Sequence, residues 1–297
     1  MHTRIAGLAL LLVCGSLAAS AQSLLPASLG IAPGDIIVSL EPGPVHWYRP
    51  DGTLRGRLLS HVPGTGEGME FDPAGSLYVT RWCTDPSCTN TGNTVERFNS
   101  FGMSTGTVGG GYDCSPHAIV FTRDATAYVA QAGCSGDVLR FAAGTAQPVA
   151  FDVALDNGGS WWIDIAADGC TVFYTSIGPN VKRYNTCTRQ QLPDFNTAPL
   201  PGGVTHDVRI LPDGGVIVSS GEVVARLNAS GALVQTYSVP GEQSLWAGLD
   251  LGGDGTFWAA NYETSNIYRF DLATGAVRFV FNTLTPPQTA VAVKVKK

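Results

Sequence analysis

Short runs of alternating apolar and polar residues recur along the chain, broken by Asp, Asn, Gly and Pro. Alternation with a period of two is the mark of a half-buried strand. Five segments share one layout, an apolar strand, a turn around Asp or Gly, and a second β-rich strand: GMEFDPAGSLYVT (68–80), HAIVFTRDATAYVA (117–130), WIDIAADGCTVFYT (162–175), HDVRILPDGGVIVS (206–219) and AGLDLGGDGTFWAA (247–260). Each leads into a third strand, VERFN (95–99), VLRFA (138–142), VKRYN (181–185), VARLN (224–228) or IYRFD (267–271). An arginine recurs in that strand as Arg97, Arg140, Arg183, Arg226 and Arg269, and its repetition in every complete unit points to a structural role.

Aligning the second strands on Tyr78, Tyr128, Phe173, Ile217 and Phe257 gives steps of 50, 45, 44 and 40 residues. Ile37 in DIIVS (35–39) stands 41 residues before Tyr78, and VHWYRPDG (45–52) follows it, so a sixth unit begins there. That unit lacks a first strand, and TAVAVKVKK (289–297) has the missing alternation. Four-stranded units at this period predict an all-β fold, a six-bladed β-propeller closed by the C-terminal strand completing the first blade. A seven-bladed ring is the main competing count. A β-sandwich, or two smaller β domains, would leave six units in one register unexplained. Closure would also remove the sheet edges that favour aggregation.

Composition adds a compartment. The N-terminus carries His2 and Arg4, an apolar run from Ile5 to Val13, and small residues ending Ala19-Ser20-Ala21. This is the layout of a secretory signal peptide, too short to span a bilayer. The expected organisation is a signal peptide over 1–21 and a single propeller domain over 22–297. Cys14 invites a lipoprotein reading, but Val13 stands where a lipobox needs a small residue. Loss of Arg4 moves the net charge from −6 to −7. With only 14% charged residues and no basic cluster, nucleic acid is excluded as a partner. No later segment predicts a membrane span.

Six cysteines remain, and in an exported chain they imply disulfides. Cys114 and Cys134 lie symmetrically about a turn at Asp124-Ala125, Cys170 and Cys187 about Ile177–Asn180, and Cys83 and Cys88 bracket Thr84-Asp85-Pro86-Ser87. The predicted bridges are 83–88, 114–134 and 170–187, each local to one hairpin. No Cys-x-x-Cys pair offers zinc-ligand spacing. The 36 glycines fit tight turns between short strands.

The pattern of apolar strand, Asp-Gly turn, Tyr-Val strand and apolar-x-Arg-Phe, seen in LPDGGVIVS, GGDGTFWAANYETSNIYRFDLATG and the SPHAI sequence (115–119), resembles the six-bladed propellers of the NHL-repeat, SMP-30/gluconolactonase-like and streptogramin-lyase-like group. The resemblance runs from Asp35 to Lys297. It implies lactone hydrolysis, carbon–oxygen lyase chemistry or pure binding, and for the lactonase group a divalent ion held by acidic and Asn side chains. The second-strand ends here read VTRW, VAQA, YTSI, VSSG and AANY, where the lyases carry Trp-Phe-Thr-Glu.

First strands line the axis of a propeller, so equivalent positions can be compared between blades. One ring reads Glu67, His117, Trp161, His206, Trp246 or Ala247, and Thr289. Imidazole serves as base or metal ligand near neutral pH. Glu67, His117 and His206 are therefore candidate ligands of a divalent ion, Ca or Mg, and His117 and His206 candidate catalytic acid and base. Arg81, Trp82, Gln131, Asn261 and Tyr262 are candidate ligand-binding residues on neighbouring loops. Trp161, Trp162 and Trp246 are a candidate aromatic platform for a sugar or peptide. The plainer alternative is that the histidines cap strand ends and Trp161, Trp162 and Trp246 pack between blades. A second ring, Glu70, Val120, Asp164, Arg209, Asp250 and Ala292, is expected to line the channel.

No Gly-x-Ser-x-Gly elbow, His-Glu-x-x-His, P-loop or dinucleotide fingerprint is present. The expected protein is a periplasmic or extracellular monomer acting as a binding module through its axial loop face, its partner a small molecule, glycan or protein. The alternative is a metal-dependent lactonase or lyase acting on small cyclic esters.

Overall fold

The computed structural model describes residues 30–59, 65–83, 93–142, 145, 147–242, 245–284 and 289–297. The expected signal peptide and the 83–88 bridge lie outside the described residues. Within them, twenty-four strands form six four-stranded antiparallel sheets. Five sheets use strands consecutive in the chain. The sheet of blade 1 instead takes Thr289–Val295 from the C-terminal end and sets it antiparallel to Ile36–Glu41, pairing Ile37 with Lys294.

The inner strands of blades 1 to 6 are Thr289–Val295, Thr65–Phe71, Pro116–Phe121, Ile163–Ile165, Thr205–Ile210 and Trp246–Leu251, and each lies against the next until the sixth meets the first. This closed circuit is a six-bladed β-propeller. Inner strands such as Pro116–Phe121 and Trp246–Leu251 are buried along nearly their whole length, whereas outer strands such as Ser104–Val108 and Val277–Asn282 are largely exposed. The gradient explains why apolar runs dominate the first two strands of each repeat and fade in the fourth.

Two glycines let inner strands approach closely. A Cβ on Gly68 would stand 2.5 Å from the carbonyl oxygen of His117, and one on Gly248 would stand 2.5 Å from Cα of Ala292. Neither gap could hold a side chain. The recurring third-strand arginines act structurally. Arg97 lies over the Tyr78 ring, Arg183 over Phe173 and Phe195, and Arg269 over Trp258. Arg97, Arg226 and Arg269 also face the turn carboxylates Asp72, Asp213 and Asp254. Two of the predicted disulfides are present, Cys114–Cys134 and Cys170–Cys187, each within one blade.

The second ring needs one correction. Glu70, Asp164, Arg209 and Asp250 gather at one end of the axis, around a cavity also lined by Lys294 and Lys297. Val120 and Ala292 belong instead to the apolar core. Lys294, two residues beyond Ala292, fills the ring position in blade 1, because it pairs with Ile37 as Glu70 pairs with Tyr78. Lys294 Nζ donates to Glu70 Oε2 at 2.6 Å and to Asp250 Oδ1 at 3.1 Å, and Arg209 Nη1 to Asp207 Oδ1 at 2.7 Å. Buried charges persist only when paired in this way.

Candidate functional site

The opposite end of the axis is built where the inner strands begin. Each of four inner strands carries an irregularity there against its second strand, between Gly66 and Met69, Pro116 and Ala118, Thr205 and Val208, and Trp246 and Leu249. An extra residue at a bulge has no partner in the ladder and can re-aim its side chain. Glu67, His117, His206 and Ala247 occupy these intervals, and all four line one cavity of about 280 Å³. Trp161 and Trp162, just ahead of Ile163–Ile165, and Val291 of the closing strand continue the wall. Glu41, Trp82, Leu245 and Tyr262 complete it.

Much of the lining is aromatic. The His117 imidazole lies 4.5 Å from the Trp161 ring and 5.2 Å from Trp162, and the Trp161 ring is 6.0 Å from His206. Glu67 is 5% exposed, His117 4% and His206 9%. Glu67 Oε2 stands 3.9 Å from His117 Nδ1, beyond hydrogen-bond range, and no donor among the described residues reaches the Glu67 carboxylate. The Tyr262 hydroxyl donates to Glu41 Oε2 at 3.0 Å. Three buried lining atoms, Trp82 Nε1, His117 Nδ1 and Trp161 Nε1, have no hydrogen-bond partner among the described residues.

Burial sets the charge state. It lowers His117 to about 3, with His206 acting in the same direction, and lowers His206 to about 4. It holds the Glu67 carboxyl well above the usual range, and the nearby Glu41 adds to the shift. Both imidazoles are therefore neutral near pH 7, and no Lys or Arg lines the cavity among the described residues.

The expected site residues thus divide. Glu67, Trp82, His117, Trp161, Trp162, His206 and Tyr262 come together. Trp246 does not join them: it packs on Tyr268 and Phe270 and donates its indole N–H to the Glu222 carbonyl. Thr289 likewise cedes its ring position to Val291. The Arg81 guanidinium pairs with Glu96 at 3.1 Å, Gln131 accepts the Asp113 N–H, and Asn261 accepts the Thr264 N–H, so these three organise second-strand ends outside the cavity wall. Sequence reasoning missed Glu41, Leu245 and Val291. Glu41 ends the second strand of blade 1, the same place that Trp82 holds near the end of blade 2, and that equivalence was the available signal.

A divalent ion does not fit these residues. No three His, Cys, Asp or Glu side chains among the described residues stand together as a metal-binding group. Ca and Mg require several oxygen ligands. Here Glu67 and Glu41 are the acidic side chains of the wall, and the Trp161 ring contacts both imidazoles.

No protein-family model matches the sequence, and no curated protein does. Solved structures match over most of the chain. The nidogen/laminin complex contains a chain 13% identical, with 89% of this chain and 98% of that chain covered at a TM-score of 0.72. A protein of unknown function from Bacteroides caccae is 14% identical, covers 88% and 98%, and has a TM-score of 0.69. Virginiamycin B lyase from Staphylococcus aureus is 14% identical, covers 77% and 73%, and has a TM-score of 0.58. At these identities the likeness is one of fold.

Proposed function

We propose that the protein is an exported recognition module that takes a small molecule into its axial cavity. The observation carrying this reading is the convergence on one preformed aromatic cavity of a buried carboxylate and three polar atoms without partners among the described residues. Each such group, left unpaired, costs about 1–3 kcal/mol, and a ligand could recover part of that. A volume of about 280 Å³ suits a small occupant, since sites for drug-sized ligands run to roughly 300–1,000 Å³. The two disulfides support an oxidising compartment.

The similar folds include both a complex of nidogen with laminin and an enzyme named as a lyase, so fold does not choose between binding and catalysis. Electrostatics favours binding. A general base works best with a pKa near the operating pH, and His117 at about 3 and His206 at about 4 fall well below it.

Ligand-observed NMR against fragments spanning lactones, glycosides, organic amines and carboxylic acids tests the reading. At least one class should bind the wild type, lose binding when Ala247→Trp fills the cavity, and be recovered unchanged. Conversion of a bound lactone by the wild type but not by His117→Gln would replace recognition with catalysis. Hits that ignore Ala247→Trp would move the site elsewhere.

A further inference from the structure

We propose that the axial cavity selects a small quaternary ammonium ion, an inference that rests on the cavity being a small-molecule site. Glu67 and Glu41 both line it, and no Lys or Arg among the described residues balances them. Outside the described residues, 60–64, 84–92, 143–144, 146, 243–244 and 285–288 contain no Lys or Arg, and 1–29 contains Arg4 alone, in the expected signal peptide. Glu67 is the decisive residue. Its side chain is 6% exposed, its nearest polar neighbour is His117 Nδ1 at 3.9 Å, and no hydrogen bond among the described residues satisfies it. A carboxylate in that setting lacks a positive partner.

The rest of the wall says which kind of cation. Trp82, Trp161, Trp162 and Tyr262 supply four aromatic rings, and the two neutral imidazoles add polarisable surface without repelling a positive charge. A cation within about 6 Å of an aromatic face is attracted by the ring quadrupole, and cages of such rings suit methylated ammonium groups. A primary ammonium would need three hydrogen-bond acceptors. One of the two carboxylates is already engaged by the Tyr262 hydroxyl, so the wall suits a head group with no N–H to satisfy. The indole N–H groups of Trp82 and Trp161, without partners among the described residues, favour a ligand that also carries an oxygen acceptor. Burial and Glu41 both raise the Glu67 carboxyl above its usual range, and a cation in the cavity would act in the opposite sense.

Choline is a suitable probe, with ethanolamine as its primary-ammonium counterpart and 3,3-dimethylbutan-1-ol as its uncharged isostere. Calorimetric titration at pH 7.5 should show saturable choline binding, with both comparison compounds weaker by roughly tenfold or more. Glu67→Gln should weaken choline by a similar factor and leave the alcohol unchanged, Trp161→Leu should weaken choline, and Glu67→Asp should retain much of its affinity. Melting curves and intact disulfides establish that the variants fold. The alcohol binding as well as choline, or Glu67→Gln leaving choline unaffected, would overturn selection for a cation while the cavity remains a small-molecule site. Ethanolamine equalling choline would overturn the preference for the quaternary group. No choline binding, together with a lactone or glycoside hit blocked by Ala247→Trp, would overturn the charge assignment alone. A cavity that takes neither choline nor any fragment would overturn both readings.

Discussion

Lys294→Met removes one charge from the end of the axis opposite the cavity and leaves the side-chain length almost intact. In the native protein Lys294 is 5% exposed and Asp250 1%, with 3.1 Å between Nζ and Oδ1. Burial works against a charged Asp250, yet Lys294, Lys297 and Arg209 together hold its carboxyl below the ordinary range. Taking away one partner of a buried pair costs about 3–5 kcal/mol, chiefly because the other charge stays buried. Three features place this case at the low end. Arg209 Nε and Lys297 Nζ remain 3.7 and 3.8 Å from Asp250, the Val295 N–H still donates to it at 2.8 Å, and Glu70, at 19% exposure, can regain water.

A loss of about 3 kcal/mol is therefore expected, and at about 2 °C per kcal/mol for a chain of this length the melting temperature should fall by about 6 °C. Calorimetric melts of the wild type, Lys294→Met, Asp250→Asn and the double variant measure it. The double variant no longer carries the stranded carboxylate, so it should be clearly more stable than the sum of the single losses. A Lys294→Met melt within about 1 °C of wild type, or strict additivity in the cycle, would contradict a closing role for this charge.

Three further outcomes follow from the geometry. Gly68→Ala should destabilise the protein by about 1–3 kcal/mol in urea titrations, because its Cβ would press on the His117 carbonyl and neither backbone can yield freely. Removing the Cys114–Cys134 bridge with paired alanines should lower stability by about 3 kcal/mol on chain-entropy grounds for 20 residues of separation, and mass mapping of unreduced peptides checks the pairing itself. Acid should act through His117: the folded protein takes up that proton only near pH 3, the unfolded chain already near 6.5, so this contribution is complete above pH 6.5 and declines as pH falls towards 3. Between pH 7.5 and 5 the loss from this group is about 2 kcal/mol, and His117→Gln should flatten the stability curve by that amount.

The architecture was legible because its determinants are local. Period-two alternation, Asp-Gly turns and a recurring third-strand arginine repeat in every complete unit, and the vacancy before DIIVS matched the surplus strand at 289–297. Glu67, His117 and His206 were placed correctly on one ring because inner-strand starts are equivalent between blades. The closing strand was misread in register: Val291 and Lys294 stand two residues beyond Thr289 and Ala292, and a shift of two leaves the inward and outward alternation unchanged, so pattern alone could not detect it. Trp246 illustrates a different limit. Its neighbour Ala247 faces the cavity, so Trp246 turns into the blade, and alternation alone could not decide which of the two would do so.

The pairing of Ile36 with Val295 also orders assembly in time. A chain that emerges N-terminus first can finish blades 2 to 6 from neighbouring segments, but Ile36–Glu41 must wait with one ladder edge unpaired until Thr289–Val295 arrives. The ring therefore closes only when that strand is in place. Without the Thr289–Val295 strand it would also lack Lys294 between Glu70 and Asp250. Its first blade would present an open strand edge, the kind of surface that aggregation and quality-control proteolysis act on.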